Sequence, residues 1–155
     1  MNEMENNEKS SSQQTAKKAV EILCRYDEGF KEPTKKQKNN LLIAFAKKKK
    51  VIYGNAFDII KVTGDVDLDN EESISNNINN ITIYEIKSTG REDVEDEFKG
   101  YFFGLTTAEL LVAQNLKKRY KFAFVNTKTE KILELSLSDI FEKAEGIYPT
   151  WSIRF

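Results

Sequence analysis

Residues 81–90, with the sequence Ile-Thr-Ile-Tyr-Glu-Ile-Lys-Ser-Thr-Gly, constrain the fold more than any other stretch of this chain. Their alternation and the glycine that follows predict a β-strand that ends in a turn. Because successive strand side chains point to opposite faces, Ile81, Ile83, Glu85 and Lys87 would share one face of a sheet. The two isoleucines indicate a packed core, and the acid and the base follow on that same face, roughly 7 Å apart. Packing alone does not explain such a pair.

Composition restricts the chemistry that the chain can perform. The 155 residues are enough for one domain with a substantial core. One cysteine excludes an intramolecular disulfide, and the absence of histidine excludes Ser-His or Cys-His catalysis and imidazole-based zinc sites. Any catalysis would therefore depend on carboxylates, lysines and a hard metal ion.

Hydropathy and charge predict where the protein resides. No apolar run approaches the ~20 residues that cross a bilayer, so we expect no membrane partner. The polar, acid-containing N-terminus lacks the features of a signal or transit peptide. We therefore expect a cytoplasmic protein. The net charge of −1 gives no global basic field that would indicate nucleic acid.

The order of the predicted elements indicates one domain over residues 15–155, after a disordered polar tail over residues 1–14. Helices are predicted over residues 15–26, 34–48, 107–118 and 138–144. Strands are predicted over residues 51–54, 57–62, 81–87, 121–126 and 131–135, with residues 150–155 as an edge strand. Thr106 and Glu109 match a capping box for the third helix. We expect an α/β or α+β domain with a mixed sheet and helices on its faces.

A carboxylate upstream gives the Glu85–Lys87 pair a chemical meaning. Asp58 lies in an apolar run, where an unpartnered aspartate would be costly. From adjacent strands, Asp58 and Glu85 would hold Mg²⁺, and the Ile86 backbone carbonyl would add a third oxygen. Lys87 would orient the attacking water or offset charge on a phosphoryl group. The equally weighted alternative is that Asp58 caps a strand or forms an ordinary ion pair with Lys87.

The runs Phe57-Asp58-Ile59 and Tyr84-Glu85-Ile86-Lys87-Ser88-Thr89 resemble those of the PD-(D/E)xK nucleases, the restriction-endonuclease-like superfamily. The later segments Phe102-Phe103-Gly104-Leu105-Thr106, Glu109 and Tyr120-Lys121-Phe122 are similar to a compact subgroup, the NO VEIN C-terminal-type domains. Such domains are often associated with restriction and defence systems. The resemblance covers roughly residues 38–155 through short motifs, and Phe57 stands where the superfamily often has proline.

The resemblance implies a restriction-endonuclease-like mixed sheet flanked by helices, and Mg²⁺-dependent hydrolysis of DNA phosphodiester bonds with Mn²⁺ as a substitute ion. Asp58, Glu85 and Lys87 would be catalytic. Asp58, Glu85 and the Ile86 carbonyl would bind the metal.

The resemblance also suggests residues around that centre. Glu21 on the first helix and Glu109 are candidate accessory acids. Candidates for sequence-independent contacts to the DNA backbone are Lys47, Lys48, Lys49, Lys50, Lys117, Lys118 and Arg119. The lysine run at residues 47–50 is also explained as a solvated helix end favoured by the helix dipole. A homodimer would supply two active sites, and a partner subunit would alternatively supply DNA recognition.

Two other classes of function stay open. The first is a catalytically silent member of the same fold, which would bind nucleic acid or assemble a complex. The second is a protein-interaction domain whose acidic loop, residues 65–72, docks a basic partner. That loop resembles a calcium-binding loop at Asp65, Asp67 and Asp69, but asparagines at its sixth and twelfth positions exclude the match.

Overall fold

The computed structural model describes the backbone of residues 2–155 and the side chains of residues 12–155. Met1, part of the predicted tail, lies outside the described residues. The chain forms a mixed α+β fold with one five-stranded sheet. The described α-helices are α1 (Asn2–Tyr26), α2 (Lys35–Lys47), α3 (Glu71–Asn76), α4 (Thr107–Leu116) and α5 (Leu137–Lys143). Short 3-10 turns cover Ile78–Asn80, Asp96–Phe98 and Lys117–Arg119.

Capping boxes start three of the helices. Thr34, Thr106 and Ser136 each accept a hydrogen bond from the backbone N–H three residues on, and the side chain there reaches back to the cap. The capping box predicted from Thr106 and Glu109 is confirmed, and α4 begins directly after it. Local sequence therefore determines where these helices begin.

The sheet runs in the order β1-β2-β3-β4-β5. Its strands are β1 (Phe30–Lys31), β2 (Ile59–Val62), β3 (Ile81–Thr89), β4 (Tyr120–Asn126) and β5 (Ile132–Leu135). Only the central β3–β4 pair is parallel, and the other neighbours are antiparallel. A parallel pair needs a crossover connection, which α4 supplies here.

The predicted alternation along β3 separates two cores. On one face, called the α4 face, Ile81 and Ile83 are fully buried in a core that includes residues of α2, α4 and α5. On the other, called the α1 face, Tyr84 is buried against Ala19, Ile22 and Leu23 of α1. Both predicted sets of strand side chains therefore lie where a period of two residues places them.

Some predicted boundaries differ from the structure. The helix predicted from residue 15 begins at Asn2, so its backbone covers residues 2–14, which were predicted to be disordered. No glycine or proline interrupts residues 2–26, so a helix packed at Ala19 and Leu23 can propagate toward its start. With 25 residues α1 is the longest helix, but none in the described chain is long and apolar enough to cross a membrane.

Two predicted strands are not strands in the structure. Residues 51–54 form an irregular segment that leads into a turn, in which Ile52 packs while Val51 and Tyr53 stay exposed. Residues 150–155 form no strand either, although their sequence alternates. Conversely, α3 lies in the predicted loop, and the Asn70 side chain caps it by accepting from the N–H groups of Glu72 and Ser73.

Candidate active site

Asp58 lies directly before β2 and binds β3 on both sides of Glu85. Its N–H donates to the carbonyl of Tyr84 (2.9 Å), and its Oδ2 accepts from the N–H of Ile86 (2.9 Å). The two carboxylates predicted to share a metal therefore lie next to each other. The N–H and C=O of one strand residue point toward the same edge, so the Ile86 carbonyl also faces the Asp58 side of β3.

Lys87 lies between two carboxylates. Its Nζ is 2.9 Å from Glu109 Oε2 and 3.4 Å from Glu85 Oε1. The side chains are only 12% exposed for Lys87, 13% for Glu85 and 4% for Glu109. Glu85 and Lys87 therefore lie buried beneath α4 and do not emerge where the sheet opens to solvent. The alternative of an Asp58–Lys87 ion pair is also not what forms, since Lys87 pairs with the two glutamates.

Glu109 has both a structural and a site role. Its Oε2 accepts from the N–H of Thr106 (3.1 Å), which closes the capping box of α4, and the same oxygen binds Lys87. The N-terminus of α4 thereby delivers a carboxylate to the middle of β3. From the sequence, the capping box with Thr106 fully explained Glu109, and the resemblance added it as a candidate accessory acid.

Proton uptake balances the charge of the cluster. Burial raises the pKa of Glu85 to about 8, and the charges of Asp58 and Glu109 and a hydrogen bond with Glu109 add to the increase, while Lys87 opposes it. At pH 7 the Glu85 carboxyl is therefore mostly protonated. The Glu85 carboxyl thus keeps its proton more readily than an ordinary glutamate does, which lowers the net charge of the cluster.

Aromatic residues of β4 form the floor of the site, and sequence analysis assigned them no role there. Glu85 is in register with Phe122 and Lys87 with Phe124, and both rings are buried. The buried Tyr120 hydroxyl donates to the carbonyl of Ala56, two residues before Asp58. Burial and the nearby carboxylates raise the pKa of Tyr120. This apolar floor lowers the local dielectric constant and strengthens the electrostatic interactions above it.

Lys38 fixes the segment that leads into Asp58. Its Nζ donates to the carbonyls of Gly54 (3.2 Å) and Phe57 (2.9 Å) and lies 4.6 Å from the centroid of the Phe57 ring. Beside Asp58 is a cavity of about 350 Å³ between α1, the start of α2 and β3. Its lining includes Lys17, Glu32, Lys38 and Asp58, and it lies on the α1 face of β3, opposite the side chains of Glu85 and Lys87.

The donor set fits a hard divalent cation held by two carboxylates and one carbonyl. Among the described residues, no group of three or more histidine, cysteine, aspartate or glutamate side chains is arranged to hold a metal ion. A site of two carboxylates, a carbonyl and water ligands does not require such a group. The repulsion between Asp58 and Glu85, which helps raise the pKa of Glu85, is what a divalent cation would relieve.

The remaining predicted residues lie away from this cluster. Glu21 is exposed on α1, which packs on the opposite face of the sheet from Glu85. Lys47 pairs with Glu71 of α3, and Arg119 donates to the carbonyl of Ile78 and to Asn79 Oδ1. Residues 117–119 and 47–50 thus adjoin elements at the beginning of β3, whereas Glu85 and Lys87 lie in its second half.

Searches of protein-family models, curated proteins and solved structures found no match to this chain. Any function proposed for this chain therefore rests on the geometry of the site.

Proposed function

We propose that this chain is a Mg²⁺-dependent endonuclease of the PD-(D/E)xK type that hydrolyses DNA phosphodiester bonds, with a restriction-endonuclease-like fold. The observation that carries the proposal is that Asp58, directly before β2, bonds to β3 on both sides of Glu85, while Lys87 pairs with Glu85. Their residue types and order match the motif, and the pairing of β2 with β3 brings them together. Mn²⁺ would substitute for Mg²⁺, because both prefer oxygen ligands.

Asp58, Glu85 and the Ile86 carbonyl would hold the metal ion. When bound, Mg²⁺ would stabilise the negative charge that develops on the phosphoryl group. Binding requires the deprotonated form of Glu85, so the residue would release its proton to solvent as the ion enters. The exposed Asp58 carboxylate would make the first contact, since its Oδ2 is already oriented by the Ile86 N–H.

Lys87 would act on the attacking water or on the phosphoryl oxygens. An ammonium group has three N–H donors, and the two glutamates account for two of them. The third would bind the water oxygen or a non-bridging oxygen. The new phosphorus–oxygen bond would form as the bond to the leaving oxygen breaks. The attacking water would give a proton to solvent, and the leaving oxygen would take one up from solvent. Glu109 would position Lys87 without contacting the substrate.

Cationic groups near the centre would orient the DNA backbone. Lys17 and Lys38 border the cavity beside Asp58, on the α1 face of β3, and would contact the backbone from that side. The clusters at residues 47–50 and 117–119 would contact phosphates farther along the duplex. Contacts of this kind carry no sequence information and weaken steeply with salt.

A plasmid-nicking assay with Mg²⁺ tests the proposal. Asp58→Asn is the most informative variant, because Asp58 is exposed and its replacement keeps a hydrogen-bond acceptor for Ile86. We expect Asp58→Asn and Lys87→Ala to reduce nicking at least about 100-fold, since each removes a metal ligand or a transition-state contact. Glu134→Gln, on the α1 face, is the matched control and should retain wild-type nicking.

Two outcomes would overturn the assignment. Nicking that survives Asp58→Asn and Lys87→Ala would place the activity elsewhere or in a contaminant. No nicking by the wild-type protein, together with retarded migration of DNA in a gel containing Ca²⁺, would instead support the catalytically silent nucleic-acid-binding module.

A further inference from the structure

The segment after α5 exposes an unusual amount of apolar surface. Trp151 is 90% exposed, Ile153 78% and Phe155 fully exposed. These three residues alternate with Thr150, Ser152 and Arg154, which is the pattern of a strand with one apolar face. A large apolar set that stays in water is costly and marks a surface that binds something. In the described chain, no neighbouring strand pairs with residues 150–155.

The sheet has an open edge of suitable geometry at β5. The N–H of Asn126 donates to the carbonyl of Lys131, so these two residues form a hydrogen-bonded pair at the start of the β4–β5 ladder. Along an antiparallel ladder, every second pair is hydrogen-bonded in the same way. The backbone groups of Leu133 and Leu135 therefore point toward β4, and those of Ile132 and Glu134 point away from it. Within the described chain the sheet ends at β5, so that edge can accept another strand.

A cavity of about 260 Å³ lies at the same edge. Its apolar walls come from Phe98, Ile132 and Leu133, and its rim carries Asp96, Glu97 and Lys131. The side chains of Asp96 and Glu97 are highly exposed, at 82% and 77%. The edge therefore offers an apolar depression with acidic groups around it.

If residues 150–155 join β5 as a strand, the side chains on each face of that strand suit the sheet face that they extend. Leu133 and Leu135 pack with the α4-face core, whereas Ile132 packs with the α1-face core. The apolar side chains of the segment would extend the sheet face that carries Leu133 and Leu135; they are Trp151, Ile153 and Phe155. Arg154 would then lie on the face that carries Glu134. Arg154 is the only charged residue in residues 146–155, and it would meet an acid.

We propose that residues 150–155 of one copy of this chain add as a sixth strand to the β5 edge of a second copy. Both the donor segment and the acceptor edge are present and unpaired in the same chain, so two copies can exchange them reciprocally. Reciprocal exchange gives a closed two-fold dimer. Main-chain hydrogen bonds to Ile132 and Glu134 supply the affinity, and the cavity near Leu133 receives an aromatic side chain. The proposal stands independently of the nuclease activity.

Sedimentation velocity of the full chain over a concentration series tests the dimer. The wild-type protein should convert from monomer to dimer, and the double variant Trp151→Ser/Ile153→Asp should raise the dimer dissociation constant at least about tenfold. Leu111→Ser, which removes another half-exposed apolar side chain on α4, is the matched control and should dimerise normally. Because all three positions are exposed, none of these changes should unfold the chain.

Cross-linking identifies the occupant of the edge. In a Cys24→Ser background, Arg154→Cys and Glu134→Cys should form a disulfide between two chains, visible as a dimer on a non-reducing gel. A disulfide within one chain would show that the segment docks on its own β5 edge and would overturn the proposal. A wild-type protein that stays monomeric, or a tail variant that dimerises as wild type, would overturn it as well.

Discussion

The two faces of β3 bury polar groups in different ways. On the α1 face, the hydroxyl of Tyr84 donates to Glu134 Oε1 (2.6 Å), and Lys61 pairs with Asp27 (2.7 Å). Each donor there has one acceptor, so both pairs are complete. On the α4 face, one ammonium lies between two carboxyl groups, and Asp58 adds a third acid nearby.

This difference separates a polar cluster that packing explains from one that packing does not explain. A buried cluster with matched groups can be explained by packing and hydrogen bonding alone. A cluster with a surplus carboxyl must take up a proton or a cation, because an uncompensated charge in an apolar environment is costly. The α4 face carries that surplus at Glu85. Perturbed acids of this kind concentrate in functional sites.

The largest effect that separates the faces should come from their lysines. Lys87→Met leaves Glu85 and Glu109 buried without a cation, and we expect it to lower the free energy of unfolding by about 3 kcal/mol. Lys61→Met, on the α1 face, removes a partly exposed pair with Asp27 and should cost at most about 1 kcal/mol. Urea denaturation at neutral pH measures both. Equal losses would mean that the two faces bury charge alike.

The pH dependence of stability should be intermediate in size. The pKa of Glu85 rises from an ordinary value of 4.5 to about 8 in the folded chain, so the native state keeps a proton that the unfolded state releases. Its contribution is therefore complete below pH 4.5 and lost as the pH rises toward 8. Without metal, the free energy of unfolding should fall by about 2 kcal/mol between about pH 6 and about pH 7.5.

Glu85→Gln provides the control for that titration. The amide keeps the shape of the neutral carboxyl and cannot ionise, so the decline in stability over the same pH interval should largely disappear. Denaturation curves at several pH values measure the change. A variant that retains the full decline would assign it to a different group.

The smallest effect should come from the hydroxyl on the α1 face. Tyr84→Phe removes one hydrogen bond to the half-exposed Glu134, and we expect a loss of about 1 kcal/mol. The α4-face cluster does not include this hydroxyl, so nicking of DNA should be unchanged. A loss of nicking comparable to that of Lys87→Ala would show that the faces are not independent.

Much of the fold was predictable because local rules operate strongly here. The period of two residues placed Ile83 and Tyr84 on opposite faces, and the capping box located the beginning of α4. The edge strand at residues 150–155 was predicted from its alternation and is not formed. Alternating apolar and polar residues favour a strand, but a strand forms only where a neighbouring strand can pair with it.

The candidate site was predictable in its residues but not in its environment. The order of Asp58, Glu85 and Lys87 identified the set, since the strand period and the missing histidines left few other groups for chemistry. Their burial depends on where α4 packs, and the partnership of Lys87 with Glu109 joins residues 22 positions apart. Tyr120 belonged to a segment that carried the resemblance, but its bond to the Ala56 carbonyl was not predictable because it exists only after the strands assemble.

One oxygen of Glu109 accepts hydrogen bonds from both Thr106 and Lys87. The first turn of α4 and the charge arrangement of the site therefore depend on the same atom. When the first turn of α4 frays, Lys87 loses its nearest counterion at the same moment. The charged centre can therefore be complete only in a chain whose β3–α4–β4 crossover has closed. A partly folded chain, with its strands formed but this helix open, would hold Glu85 and Lys87 without the counterion that the closed helix supplies.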